Sequence, residues 1–427
     1  MFKKIASHFT KCILIIVWLF FCHQELLAQS FIKLKGRVSD KITNLPLPFT
    51  TVYIPNSGTG VVTNEYGEFA YYIPDYLRTD MVHISYMRYK KMYLQVAAIT
   101  TDSIYSFEMV EEVKELKEVK IYGIKGITAA VVVKRAIKNI ARNYPKKEYL
   151  LHGYYRDYIR EKNTNDYKNV TEAAVLIEDQ GFNKSDYQQT KIKLEQIRYN
   201  PGFVVDSALN SGYNDTSKYI PFTSYNEKNE LAILRLHDPI RNHNKKSFSF
   251  VDIFDHSFVP NHSFRYESII KNDSSEIYEI SFGTYRMLSE TAKTQYWVEG
   301  RIYIDSKNYA ILKFIYTVTC KLPSYSGKFF DLTLEYKNYL GKYYLNYLSL
   351  CNYFETFNKT ALTEPDNPEQ YFQYRELFIN RIITKPFMSI KPEAAIRKNT
   401  ILNSNKVPIR DGFWDTYNYT SHIKFID

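Results

Sequence analysis

Residues 31–73 read FIKLKGRVSDKITNLPLPFTTVYIPNSGTGVVTNEYGEFAYYI. Short alternating runs, Ile32–Val38, Phe49–Tyr53, Gly60–Thr63 and Glu68–Ile73, predict strands. The clusters Asp40–Asn44, Pro55–Asn56–Ser57–Gly58 and Asn64–Glu65–Tyr66–Gly67 between them predict turns. Gly67 suits a turn position with positive φ, and the Asn64 side chain can bond its own backbone. Met81–Ser85, Lys91–Val96 and Ser103–Glu108 continue the pattern. Seven short strands within about 80 residues predict a small Greek-key β-sandwich over residues 29–109.

Motifs in this stretch resemble the carboxypeptidase-regulatory-like domain, a transthyretin-like seven-stranded sandwich common in exported Bacteroidota proteins. They are Gly36–Arg37–Val38–Ser39–Asp40, Pro46–Leu47–Pro48–Phe49, Val52–Tyr53–Ile54, and the run from Gly60 through Thr63–Asn64 and Gly67 to Phe69. Gly36, Pro46, Asn64, Gly67 and Phe69 are the structural positions that the resemblance singles out. The family then has Ser-Tyr-x-Gly-Tyr. Here Ser85–Tyr86–Met87–Arg88–Tyr89 places Arg88 where Gly is usual, so the local turn is open to change.

Beyond the sandwich, residues 110–146 predict a linker and one amphipathic helix. In Ile127–Asn143, Val131, Val132, Ala136, Ile137 and Ile140 recur at helical spacing with basic residues opposite, and Pro145 stops the run. A helix packed on the core is preferred over one lying on a membrane surface. Residues 147–390 predict a large antiparallel curved sheet or half-barrel. Its hairpins are Phe264–Ile270 with Glu276–Phe282, Gly300–Asp305 with Ala310–Tyr316, and the strands around Leu340–Lys342. The tail, 391–427, is polar and irregular. Gly153–Tyr158, Glu172–Ile177, Tyr296–Asp305 and Phe413–Asn418 resemble the β domain and ending that follow the sandwich in other exported Bacteroidota proteins of uncharacterised function. The Gly300–Asp305 hairpin also resembles lipoprotein-carrier half-barrels.

Composition agrees. The 427 residues include 39 Tyr and 27 Phe, types that favour pleated, half-buried surfaces. Lys3, Lys4 and Lys11 precede the apolar run Cys12–Cys22, and Leu26 and Ala28 hold the −3 and −1 positions. That predicts a signal peptide over 1–28, because the apolar run is about half the ~20 residues of a membrane span. No later stretch predicts a transmembrane helix. The expected location is the periplasm or the outer membrane. The net charge of +10 is diffuse, densest at Lys134, Arg135, Lys138, Arg142, Lys146 and Lys147. Export argues against nucleic acid, and a solvated helix face is the preferred reading of that cluster.

Cys320 and Cys351 remain after the leader. If Asp331–Asn338 forms the middle strand of a meander, residue 351 pairs with about 331 and 331 with about 319. The two thiols then lie roughly 9.6 Å apart, two strand spacings, beyond the ~7 Å reach of a disulfide. Two free thiols are expected.

Catalytic motifs are missing. The chain has no His-Glu-x-x-His, no Gly-x-Ser-x-Gly elbow and no phosphate loop, which argues against zinc peptidases, serine hydrolases and P-loop enzymes. His237, Asp238, His243, Asp252, Asp255, His256 and His262 form one suggestive group, with ligand types suited to zinc, copper or manganese. Its irregular spacing favours a polar loop leading into a strand, so no metal or other cofactor is expected. Tyr343, Tyr344, Tyr347 and Tyr353 could line a sugar- or lipid-binding face, although strand tyrosines more often form a plain sheet surface. The leading expectation is a non-enzymatic exported envelope protein whose β domain binds a protein, glycan or lipid partner. The alternatives are a lipid-sheltering carrier half-barrel and a hydrolase with an unrecognised site. An open or filled concave face separates the first two.

Overall fold

The computed structural model describes residues 30–421, apart from 101–102, 115–125, 185–188, 201, 206–228, 244–253, 255–256, 273–274, 290–293, 322–325, 357–368 and 398. The expected leader lies outside the described residues.

Seven strands fall where the sequence predicts them: β1 (Phe31–Asp40), β2 (Thr51–Tyr53), β3 (Gly60–Val62), β4 (Glu68–Pro74), β5 (Met81–Ser85), β6 (Met92–Gln95) and β7 (Ile104–Met109). They form two sheets, β4-β1-β7 and β3-β2-β5-β6. Alternate residues of β1 turn inward, so Leu34 and Val38 meet Val52, Phe69, Tyr71, Val82 and Ile84 in a separate core. Each such burial contributes about 1.5–3 kcal/mol. The family positions have physical reasons. A side chain at Gly36 would strike the Phe69 and Phe107 rings at 2.9 Å. Gly67 has φ +75, and a Cβ there would lie 2.2 Å from the Val38 carbonyl. The Asn64 Oδ1 accepts from the amides of Tyr66 (2.9 Å) and Glu68 (2.8 Å), which closes that turn.

The third sheet is antiparallel, curved and open. Its strands are β8 (Val113–Lys114), β9 (Tyr149–Glu161), β10 (Tyr167–Asp179), β11 (Lys191–Tyr199), β12 (Ser263–Asn272), β13 (Ser275–Ser289), β14 (Thr294–Asp305), β15 (Ile311–Lys321), β16 (Ser326–Tyr339), β17 (Lys342–Thr356) and β18 (Glu369–Thr384). Their order is β11-β10-β9-β18-β17-β16-β15-β14-β13-β12-β8. The expected hairpins are present, with Phe264 opposite Phe282 and Ile302 opposite Phe314. At the β16–β17 turn Leu340 and Gly341 both have positive φ (49° and 76°), the geometry of a tight two-residue hairpin. That turn sets Asp331 opposite Cys351, and Asp331 faces Thr317 on β15. Cys320 and Cys351 are free and buried.

One face of this sheet carries the larger core. It is covered by α1 (Ala129–Asn143), α2 (Glu230–Leu236) and α3 (Phe258–Asn261). Thr128 caps α1, and Ala129, Val132, Val133, Ala136 and Ile140 point into the core. Val131, expected in the apolar stripe, is instead exposed, because the stripe centres on Val132 and Val133. The sandwich and residues 413–420 cover the other face. There Phe49 and Val62 of the sandwich join Tyr154, Tyr347 and Phe378 of the sheet and Trp414, Tyr417 and Tyr419 of the tail. A buried network lies beneath them. Arg156 pairs with Glu376, and Arg198 Nε donates to Glu172 at 2.5 Å. The Arg198 guanidinium sits 4.3 Å from the centre of a Trp414 ring. The polar tail is thus docked into the junction of the two modules.

Candidate functional site

The junction leaves a cleft of about 740 Å³. Its sandwich wall is β2 and the β5–β6 turn, Ser85–Lys91. Its sheet wall is the ends of β13, β14, β16 and β17. Domain junctions are common places for ligand sites, and this volume falls within the usual range of about 300–1,000 Å³.

Arg88 builds the rim. It takes φ +77, the conformation for which the family uses Gly. Its Nε donates to Glu111 (3.0 Å), and its Nη1 reaches across the modules to Glu279 (3.1 Å). Glu279 is fully buried and also accepts from Arg301 (2.6 Å) and Tyr303 (3.0 Å). Beside it Met87 packs against Ile270, Ile277 and Tyr303. Tyr89 OH donates to Asp40 at 2.9 Å, and Asn346 Nδ2 donates to Thr51 Oγ1 at 3.1 Å across the junction. Asp305 holds the β14–β15 turn by accepting from the Lys307 and Asn308 amides at 2.9 and 3.2 Å.

Two lysines of the large sheet behave differently. Burial pulls the Lys313 amine down, but Glu335 at 2.6 Å outweighs it and holds the amine above its usual range. Lys337 lines the cleft, yet its Nζ is sealed from water without a hydrogen-bond partner among the described residues. Burial pulls that amine down to about 8.

The expected tyrosine face does not form as one surface. Tyr343, Tyr344 and Tyr347 are all buried. Tyr344 meets Tyr149 edge-on at 5.0 Å, and Tyr347 stacks on Phe49 at 5.2 Å and donates to Glu376 at 2.6 Å. Half-buried Tyr353 donates to Asp331 and meets Phe372 edge-on. Neighbouring strand residues such as Tyr343 and Tyr344 alternate sides in any case, and the register shift opposite Glu335 and Tyr336, which sets Asn346 aside as an extra residue, resets the alternation before Tyr347. Of them, Tyr343 reaches the cleft.

The histidine group ends at the start of β12, with short helices among its described residues. His237 follows α2, and His262 follows α3. Each turns Nδ1 back to its own backbone: His237 to Ile233 O (2.9 Å), His243 to Ile240 O (3.1 Å) and His262 to Phe258 O (2.8 Å). Burial pulls His237 down to about 4, so it is neutral at ordinary pH. Burial lifts Asp238 to about 6, against the donors Tyr336 OH and the Ile240 and Arg241 amides. Asp252, Asp255 and His256 lie outside the described residues. Among the described residues no three of His, Cys, Asp and Glu come together as a metal site.

A smaller cavity of about 250 Å³ holds two carboxylates, Asp157 and Glu230. Burial lifts Glu230 to about 7. Split carboxylates can serve as acid and base. These two are structurally engaged instead. Asp157 accepts from Gln373 (2.9 Å) and Arg375 (3.1 Å), and Glu230 accepts from the Leu402 amide (2.8 Å).

Residues 34–121 match the family model of the CarboxypepD_reg-like domain. The expected front-domain resemblance is therefore correct. No curated protein matches the chain. Solved structures give distant likenesses. A DUF1329 family protein from Desulfovibrio piger has TM-score 0.23 at 9% identity, covering 61% of this chain and 95% of that one. Lipovitellin, from a structure of lipid–protein interactions, has 0.23 at 9%, covering 58% and 27%. A protein of unknown function from Bacteroides fragilis has 0.16 at 8%, covering 83% and 99%. Scores this low assign no common fold.

Proposed function

We propose that this is a non-enzymatic, exported envelope protein in which the CarboxypepD_reg-like sandwich and the large sheet act as one body, and that the cleft between them binds the partner. The observation that carries this reading is the junction cleft, with walls drawn from both modules and fixed by Arg88–Glu279 and Asn346–Thr51. The carrier alternative needs an open apolar interior. Here α1, α2 and α3 fill one face of the sheet, and the sandwich and tail cover the other. The hydrolase alternative has the Asp157–Glu230 pair as its best support, and both carboxylates already brace the backbone and neighbouring strands. Export is supported by the Lys3–Ala28 leader pattern.

Native mass spectrometry of protein purified from its own envelope without harsh detergent tests the reading. A co-purifying mass that is lost when the cleft is blocked, as in Thr51→Trp, supports it. A retained mass in that variant, or a bare chain in every preparation, refutes it.

A further inference from the structure

We propose that α1 and the two turns beside it form a docking surface for an anionic lipid surface. Val131, Lys134, Arg135, Lys138 and Arg142 recur at helical spacing on the exposed side of α1, opposite its buried stripe. The helix contains no Asp or Glu. Two turns extend the patch. The β14–β15 turn brings Tyr309, whose hydroxyl accepts from Arg135 at 2.8 Å, with exposed Lys307 in the same turn. The β16–β17 turn brings Lys342, whose Nζ donates to the Arg142 carbonyl at 2.6 Å, and carries Leu340 at its tip, 58% exposed.

Three elements distant in sequence thus present cations on one side, with exposed Val131 and Leu340 among them. The arrangement matches an interfacial surface. Cations meet headgroup phosphates, while apolar tips enter the boundary below them. A cationic face on a helix without carboxylates, with apolar tips at Val131 and Leu340, favours an anionic lipid surface over a folded acidic partner. This docking is independent of what occupies the junction cleft.

Co-sedimentation of the purified protein with phosphatidylcholine vesicles, with and without phosphatidylglycerol, tests it. Wild type is expected to bind the phosphatidylglycerol vesicles about tenfold or more tightly, and salt should weaken that binding. The triple change Lys134→Glu, Lys138→Glu, Arg142→Glu should abolish the preference. A control with the same charge change elsewhere, Lys41→Glu, Lys391→Glu, Lys406→Glu, should retain it. If the first triple misfolds by circular dichroism, the neutral set Lys134→Gln, Lys138→Gln, Arg142→Gln should still lose most of the preference. Equal loss in patch and control variants, or equal binding to both vesicle types, overturns the proposal. So does absence of vesicle binding with retention on immobilised polyglutamate, which would assign the patch to an acidic protein.

Discussion

Glu230 offers a sharp test of the packing between α2 and the tail. It occupies the first position of α2, where a negative charge is ordinarily favoured by the helix dipole. Burial nevertheless lifts its carboxyl from 4.5 to about 7, with Asp157 adding to the rise. The Leu402 amide and its own amide work against the rise. The folded state therefore binds more protons than the unfolded chain between pH 4.5 and about 7. Stability contributed by this group falls as pH rises through that window and stays low above it. The full displacement corresponds to about 3 kcal/mol, and water reaching the half-buried side chain reduces it to about 1–2 kcal/mol. Glu230→Gln keeps an oxygen for the Leu402 amide and removes the charge. The variant is expected to match wild type below pH 4.5 and to exceed it by about 1–2 kcal/mol at pH 8. Urea unfolding followed by tryptophan fluorescence at both pH values reads the difference, and other titrating groups cancel in the comparison. A difference that does not change with pH, or a variant less stable at pH 8, would refute the argument.

Gly67→Ala is expected to destabilise the sandwich by more than about 2 kcal/mol in thermal melts, since it meets both a positive φ and the Val38 carbonyl at 2.2 Å. Wild-type stability in that variant would remove the turn's role. Burial raises the Cys320 thiol to about 11 and raises Cys351 as well. Both should resist a thiol reagent in the native protein and react fully in urea. Fast native labelling, or an intact mass two hydrogens lighter, would contradict the observed pairing of β15, β16 and β17. Lys337→Met replaces an amine without a hydrogen-bond partner among the described residues by an apolar side chain of similar length and should raise the melting temperature at pH 7, with the gain shrinking as pH rises above about 8. A lower melting temperature at pH 7 would mean that the amine has a counter-charge.

The sandwich was legible because its information is local. Each strand is short, and each turn announces itself through Gly, Asn or Pro close by in sequence. The same holds for the β16–β17 register, where the turn at Leu340–Gly341 fixes Asp331 opposite Cys351. What escaped were features made by distant partners or by very short elements. β9 lies beside β18 with Asp157 facing Arg375, a pairing that no local pattern announces. The 7 residues of α2 and 4 of α3 are too few to establish a helical period, so their terminal histidines looked like a polar loop. The four tyrosines of β17 were never one surface, since neighbours such as Tyr343 and Tyr344 alternate sides of a strand, and the extra residue Asn346 shifts the alternation again before Tyr347.

Arg88 shows why a departure from a family pattern needs the rest of the chain before it has meaning. As sequence, it is a poor residue at a glycine position. In the structure its backbone does adopt the left-handed conformation, at a cost of roughly 1–2 kcal/mol for a residue with a side chain. A glycine would avoid that cost but could not reach Glu279 in β13. A hydrogen bond between charged groups contributes about 1.5–3 kcal/mol, enough to offset the strain. Glu279 still keeps Arg301, Tyr303 and Ser268 when Arg88 is removed, so its burial does not depend on this arginine. What Arg88 adds is the one bond to Glu279, among the described residues, that comes from the sandwich, an ionic tie from its turn to the sheet. The family position that ordinarily eases a turn has here become a point where the two modules are held together, on the rim of the cleft they share.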